Sequence, residues 1–221
     1  MSRIPGAALG SLFEEHPPGA VETIADGAMV LRGFASAESP DLIEAVQTIA
    51  AAAPFRHMVT PGGGRMSAAM TNCGRGWVTD GKGYRYALRD PETGKPWPVL
   101  PDLFLSLADR AAAKAGFPGF APDGCLINRY EPDARMGLHQ DKDEKDRTAP
   151  IVSVSLGLPA IFLFGGAARR DRPRKIALSN GDVVVWGGPA RFTYHGIAPL
   201  ADGEHPLTGR CRYNLTLRKA L

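Results

Sequence analysis

The sequence predicts a mainly β fold with flanking helices. The expected core is a double-stranded β-helix, or jelly roll, with an N-terminal helical extension that carries a long lid. Three observations support this. Past Gly124, short β-like segments follow one another with turn residues between them. Upstream, two runs place apolar residues at helical spacing. Between those runs, Arg56 to Pro98 is rich in Gly, Pro, Thr, Asn and aromatics without a strong period, the character of a binding loop or lid.

Taken in order, residues 1–24 read as an N-terminal arm, with turn-formers and no periodicity over residues 1–20. Gly27 to Phe34 has the composition of a strand. Ser39-Pro40-Asp41 reads as a helix start: a capping hydroxyl, proline at the first helical position and an acid in the first turn. Leu42, Val46, Ile49 and Ala53 follow on one helical face, and Pro54 ends the run. A second helix is expected from Asp102 to a stop at Gly116. Eight strands are then expected: Cys125–Tyr130, Met136–Asp141, Ile151–Leu158, Ile161–Phe164, Lys175–Leu178, Val183–Trp186, Phe192–His195 and Cys211–Arg218. Turns such as Glu131-Pro132-Asp133 and Asn180-Gly181-Asp182 separate them. Residues 25–123 (helices and lid) and 124–221 (β core) are expected to form one compact unit.

Composition narrows the function classes. The chain has 221 residues, enough to bury a core, with ordinary hydrophobic (44%) and charged (22%) shares. A formal charge of +3 permits a polyanionic partner without demanding one. Cys73, Cys125 and Cys211 are odd in number and form no CxxC, which argues against a disulfide framework or a structural zinc site and for a reducing compartment. The N-terminus lacks a sustained apolar run, and clusters such as Ala160–Phe164 are too short to span a bilayer. The expectation is a cytoplasmic protein away from the membrane and, with no obvious oligomerisation seam, a monomer.

Two constellations carry chemistry. His139-Gln140-Asp141 is an H-x-D; on a strand, residues two apart share a face, so an imidazole and a carboxylate would point inward together. His195, on a later strand, would complete a two-His, one-carboxylate triad with coordination positions left open, the arrangement of non-haem Fe(II) oxygenases. By itself the motif is weak, and most single occurrences are a solvated aspartate beside a histidine in a polar contact. His16, His57 and His205 sit in loop-like surroundings. In the last strand, Arg212, Asn214, Thr216 and Arg218 alternate with Tyr213, Leu215 and Leu217. Two arginine forks on one face suit a dicarboxylate. Six residues of ideal strand span roughly 20 Å, longer than a five-carbon acid, so the side chains must converge or the strand must bend. The competing reading is an amphipathic edge strand with a solvated arginine face. Asn128 and Tyr130 share a strand face and could add hydrogen bonds.

The runs LINRYEPDARMGLHQDKDE (126–144), PIVSVSLGLPAIFLFGG (150–166), GDVVVWGG (181–188), YHGI (194–197) and RYNLTLR (212–218) together resemble the AlkB family of DNA-repair dioxygenases. The lid stretch FRHMVTPGGGRMSAAMTNCGRGW (55–77) and Gly83-Tyr84 resemble it too. The resemblance spans roughly residues 25–219 and is closest to the family's bacterial members. It implies that His139, Asp141 and His195 bind Fe(II) and that 2-oxoglutarate chelates the metal. It further implies that Arg218 pairs with the carboxylate near the metal. Arg212 would then hold the distal carboxylate, helped by Asn128, Tyr130 and Asn214. With O2 as second co-substrate, N-methyl groups would leave as formaldehyde, with succinate and CO2 released. The four groups implied at the chemistry are His139, Asp141, His195 and Arg218.

The implied partner is alkylated DNA, single-stranded or with its base flipped out, because a base inside a duplex cannot reach a buried iron. By resemblance, Trp77 stacks on the base and the His139 ring forms the other face. Tyr84 and Thr60 contact phosphate, and Met66 and Met70 line the pocket, where flexible thioethers accommodate different lesions. Asp143 reads the base edge and favours a cationic lesion, and Glu144 is placed with it among the substrate contacts. Arg169, within the basic cluster Arg169–Lys175, grips phosphate. The residue types alone leave simpler alternatives: a core tryptophan, a solvated charge run from Asp141 to Asp146, and a solvated basic loop. Gly64-Arg65, the linker Cys73–Trp77 and the Ala-rich arm are distinctive and leave lesion range and strand preference open. Competing functions are the same chemistry on methylated RNA or on a protein side chain, and a non-catalytic binder of damaged DNA.

Overall fold

The computed structural model describes Pro17 and residues 19–221. The arm expected over 1–24 lies largely outside the described residues. The part inside them contains an unforeseen strand, β1 (Val21–Ala25), which pairs antiparallel with β2 (Ala28–Leu31).

Helix α1 (Ser39–Ala52) carries Leu42, Ile43, Val46 and Ile49 buried on one face, as its spacing predicts. Its start differs from the expected cap. Ser39 is already helical, the cap position is Glu38 with no side-chain hydrogen bond, and the Ser39 hydroxyl donates to the Ala35 carbonyl at 3.0 Å. The long lid region is not structureless either. It contains β3 (Ala69–Gly74), β4 (Gly76–Asp80) and β5 (Gly83–Ala87). Their polar and glycine-rich composition masked the period. Helix α2 (Asp102–Lys114) ends as predicted: Gly116 takes φ +90° while the Phe117 and Gly116 amides donate to the Ala112 and Ala113 carbonyls.

All eight expected strands of the C-terminal half are present: β6 (Gly124–Tyr130), β7 (Met136–His139), β8 (Ile151–Gly157), β9 (Ala160–Phe164), β10 (Arg174–Leu178), β11 (Val183–Trp186), β12 (His195–Ile197) and β13 (Arg212–Arg218). Two strands moved by more than one residue. β7 stops at His139, so the H-x-D straddles a strand end. β12 runs from His195 to Ile197, because Phe192–Tyr194 lies outside any strand.

The strands form a seven-stranded sheet in the order β1-β2-β11-β8-β13-β6-β3 and a four-stranded sheet in the order β10-β9-β12-β7, a jelly-roll arrangement. The hairpin β4-β5 forms a separate two-stranded sheet. One apolar cluster, including Phe162, Phe164, Val184, Trp186 and Met70, fills the space between the two main sheets. A second, including Leu42, Val46, Phe104, Leu107, Val154 and Leu215, packs both helices on the outer face of the larger sheet. β13 lies between β8 and β6 near the middle of that sheet, so it is not an edge strand, and its arginines are buried rather than solvated. The turn 180–182 shows why glycine is needed there: Gly181 has φ +83°, and a Cβ would stand 2.2 Å from the Ser36 hydroxyl. Among the described residues no helix is long and apolar enough to cross a membrane. All three cysteines are free, although Cys73 and Cys125 are register partners on β3 and β6.

Candidate active site

β12 and β7 pair with His195 directly opposite His139. Cross-strand register therefore brings the two imidazoles together, their ring centroids 4.5 Å apart. Asp141, just beyond β7, turns its carboxylate between them, with Oδ1 3.6 Å from His139 Nε2 and Oδ2 3.6 Å from His195 Nε2. The potential ligand atoms of the three residues all lie within 4.8 Å of one another. The inward convergence expected of H-x-D is observed, but a strand end produces it rather than strand alternation.

The ring orientations fit metal binding. His139 Nδ1 lies 2.8 Å from the Gly137 carbonyl and His195 Nδ1 3.0 Å from the Thr193 carbonyl. A carbonyl only accepts, so each Nδ1 must carry the proton and each Nε2 presents a lone pair to the centre. Burial and the neighbouring His195 ring push His139 down to about 4, which keeps it neutral. Burial alone would raise the Asp141 carboxyl; its polar surroundings, the Arg218 guanidinium foremost, hold that carboxyl well below the usual carboxylate range. Two imidazoles whose Nε2 atoms face the centre and an ionised carboxylate are the donor set that a non-haem Fe(II) requires.

Arg218 Nη2 donates to Asp141 Oδ2 at 2.8 Å, which places this arginine beside the candidate metal position. Burial opposes its charge, but Asp141, Tyr86 and Glu144 keep it protonated. On the same face of β13, Asn214 donates to the Ser153 hydroxyl at 2.7 Å, and the Thr216 hydroxyl donates to Asn214 Oδ1 at 2.9 Å. Arg212 lies one face-position further on, opposite Tyr130 on β6, with its guanidinium 5.3 Å from the Tyr130 ring centroid. It is 0% exposed. Among the described residues its one side-chain hydrogen bond goes to the Ser155 hydroxyl at 3.0 Å, and its Nε and Nη1 have no partner there. A buried cation without an acidic neighbour is costly unless an anion supplies the missing charge and acceptors. The distal carboxylate of a keto acid would do so, and in this respect the residues fit 2-oxoglutarate. Burial pushes the Tyr130 phenol up to about 12, so it remains a hydroxyl donor.

These groups line a cavity of about 470 Å³. Nearly every residue singled out from the sequence faces it: His139, Asp141, His195, Arg218, Asn128, Tyr130, Asn214, Trp77, Tyr84, Thr60, Met66, Met70, Asp143 and Arg169. Two do not. Arg212 is fully buried and borders the cavity lining through Tyr130, whose ring faces its guanidinium. Glu144, expected among the substrate contacts, is 3% exposed and bonded on both carboxylate oxygens, to the Tyr86 hydroxyl at 2.6 Å and Arg191 Nη2 at 3.1 Å. It braces the wall from behind, and the solvated charge run is therefore interrupted by two buried acids, Asp141 and Glu144.

The lid forms the roof. Trp77 on β4 and Tyr84 on β5 stack with centroids 5.7 Å apart and planes 22° apart, and the Trp77 indole donates to Asp143 at 2.8 Å. Tyr84 stays 49% exposed at the rim. His57 bonds the Met66 carbonyl and His205 sits in a turn, away from the cavity as expected, while His16 lies outside the described residues.

Sequence reasoning missed Tyr86, Arg191 and Trp186. Trp186 packs 4.8 Å from the His195 ring and lay within the GDVVVWGG run. Tyr86 is the register partner of Trp77 and was legible only as the second tyrosine of Gly83–Ala87. No local pattern marks Arg191.

The family model of the 2OG-Fe(II) oxygenase superfamily matches residues 27–218. The chain is 58% identical over 200 residues to the alpha-ketoglutarate-dependent dioxygenase AlkB of Escherichia coli (strain K12), covering 90% of this chain and 93% of that protein. Over 131 residues it is 34% identical to the Mus musculus protein named nucleic acid dioxygenase ALKBH1, covering 58% of this chain and 33% of that one. Among solved structures, that of OsALKBH1 superposes with a TM-score of 0.82 at 28% identity, covering 90% of this chain and all (100%) of that one.

Proposed function

The chain belongs to the 2OG-Fe(II) oxygenase superfamily and to its AlkB family, and on that premise we propose that it repairs DNA by oxidatively removing small N-alkyl groups of the 1-methyladenine and 3-methylcytosine type. It is a dioxygenase that uses Fe(II), 2-oxoglutarate (alpha-ketoglutarate) and O2. The observation that carries the substrate reading is one cavity with two kinds of wall: His139, Asp141, His195 and Arg218 on the floor, and Trp77 and Tyr84 on the roof, with Met66 and Met70 also lining it.

With its iron and keto acid bound, the site supplies an oxidant that inserts one atom of O2 into a C–H bond, with succinate and CO2 as co-products. The protein's own residues do the rest. His139, Asp141 and His195 hold the metal, and Arg218 takes the carboxylate beside it. Arg212, with Tyr130, Asn128 and Asn214, holds the distal carboxylate. Trp77 and the His139 ring clamp the base between them. Met66 and Met70 shape the space, and Thr60, Tyr84 and Arg169 contact phosphate. Asp143 places a carboxylate at the base edge and so favours a cationic lesion over a neutral base. The N–CH3 carbon becomes N–CH2OH; its hydroxyl then loses a proton to solvent as the N–C bond breaks, which releases formaldehyde and leaves the bond's electron pair on the ring nitrogen.

Such a floor admits only a flipped or single-stranded nucleotide. The name of the mouse relative agrees with a nucleic-acid substrate. We take residues 25–123 as the recognition part and 124–221 as the catalytic core of one monomeric, cytoplasmic protein.

The test is aerobic incubation with Fe(II), ascorbate, 2-oxoglutarate and a single-stranded oligonucleotide carrying one 1-methyladenine, followed by mass spectrometry, with His139→Ala alongside. Loss of one methyl with succinate and formaldehyde appearing, and an inert variant, is the expected result. Succinate without methyl loss overturns the substrate, and a methylated RNA oligonucleotide in parallel tests the nearest replacement. Neither product from metal-loaded protein overturns catalysis in favour of a binder.

A further inference from the structure

Arg191 has no place in the function described so far, yet it is among the most deeply buried charges in the molecule. It follows the short 3-10 turn Gly188–Ala190 and stands just ahead of His195 in the chain. Its guanidinium reaches the segment 140–150, which contains neither helix nor strand. There it makes three hydrogen bonds: Nη1 donates to the Asp141 carbonyl at 2.6 Å, Nε to the Ala149 carbonyl at 2.9 Å, and Nη2 to the Glu144 carboxylate at 3.1 Å.

That geometry answers a mechanical problem. β7 ends at His139, so sheet hydrogen bonds fix one metal ligand while the next, Asp141, stands on irregular backbone. A ligand on a loop is placed only as well as the loop is held. Arg191 ties the loop at both ends, at Asp141 and at Ala149, and it does so from the segment that delivers His195. Glu144 makes the buried charge tolerable: the side chains of this pair are 2% and 1% exposed. The other Glu144 oxygen accepts from the Tyr86 hydroxyl of the lid hairpin and lies 3.6 Å from Arg218 Nε. One buried network therefore joins the Asp141 loop, the approach to His195, the arginine beside the metal position, and the lid.

We infer that Arg191 is a positioning residue of the metal site, setting the Asp141 carboxylate against the two imidazoles, with Glu144 as its counter-ion. This rests on the reading that His139, Asp141 and His195 hold the iron. Three acceptors in three directions match a planar fork of donors; a lysine ammonium, a single point charge, cannot reach all of them.

The experiment uses metal-free wild type, Arg191→Lys and Glu144→Gln. Each is titrated anaerobically with Co(II), followed by its visible absorption, and melted without metal. The KM for the methylated oligonucleotide and the Fe(II) dependence of turnover are measured alongside. Co(II) affinity is expected to fall roughly 10–100-fold in Arg191→Lys, the range found when an outer partner of a metal ligand is removed. A smaller fall is expected in Glu144→Gln, with the oligonucleotide KM unmoved in both. A folded Arg191→Lys that binds Co(II) as tightly as wild type overturns the proposal. Should that variant not fold, Glu144→Gln, which keeps the side chain's shape and an acceptor for Tyr86, decides by the same criterion. Wild type that gives no Co(II) spectrum overturns the iron reading itself, an outcome distinct from equal affinity in all three proteins.

Discussion

The floor of the cavity is built on the two main sheets, in which β13, β6, β8 and β12 are paired on both sides and β7 on one, whereas its roof is a hairpin paired only with itself. β13, β8 and β6 share continuous registers, and Asn214, Thr216 and Arg218 are each held by a neighbour in the sheet or by a buried charge. β4 and β5 have only each other in their sheet; Val78 of β4 is buried in the core, and a few polar bonds add to it: Trp77 to Asp143, Trp77 to Asn72 and Tyr86 to Glu144. The difference separates two tasks. Chemistry needs ligand atoms fixed to a fraction of an ångström, which cooperative sheet pairing provides. Recognition of an extruded base needs a surface that can open, and weakly tied hairpins lie at the low-stability end of a fold.

Variants of the two regions should therefore fail in different ways. The largest effect is expected for Asp141→Ala: metal binding and succinate formation are lost by more than the roughly 10–100-fold that outer partners cost. Oligonucleotide binding, measured by fluorescence anisotropy, should persist. If binding disappeared as well, floor and roof would not be separable.

Arg218→Ala comes next. It leaves Asp141 and Glu144 buried with one cation fewer, which should cost about 3–5 kcal/mol of stability, as breaking a buried pair does. It should also raise the KM for 2-oxoglutarate far more than that for DNA. Thermal melting and co-substrate saturation curves check the two halves separately.

Trp77→Ala should do the reverse. Losing one base–aromatic stack costs about 1–3 kcal/mol, read as a rise in oligonucleotide KM of roughly tenfold or more. Melting temperature and DNA-independent turnover of 2-oxoglutarate should change little, and a clear fall in that turnover would break the comparison.

The smallest effect is expected for Arg169→Ala. It should weaken binding about equally for every oligonucleotide sequence and reduce the slope of log affinity against log salt by about 1. A sequence-dependent loss would instead make Arg169 a base reader.

What was legible in advance follows the same division. The eight core strands were readable because alternating apolar residues and turn-formers impose them locally, and helix α2 because its start and its glycine stop are local signals. The lid strands were not readable: β3 mixes polar with apolar residues and takes its partner, β6, from far along the chain, while β4 and β5 pair only with each other. The Ser39 cap failed for a related reason, since the Ser39 hydroxyl found the Ala35 carbonyl one turn back and left the helix end to Glu38.

The sequence by itself determined the chemistry available: two histidines and a carboxylate spaced for one metal, two arginines on one strand face, and aromatic and thioether side chains in the lid. It did so because residue identity and short-range period survive in one dimension. Only the tertiary structure decided where that chemistry stands. Register set His195 opposite His139, a strand end turned Asp141 between them, and the interior position of β13 stripped its arginines of water. Glu144 was moved from the pocket to the brace behind it, and Arg191 was given a place at the metal loop. Each of these is a contact between residues distant in sequence, settled by cooperative packing that no local pattern records.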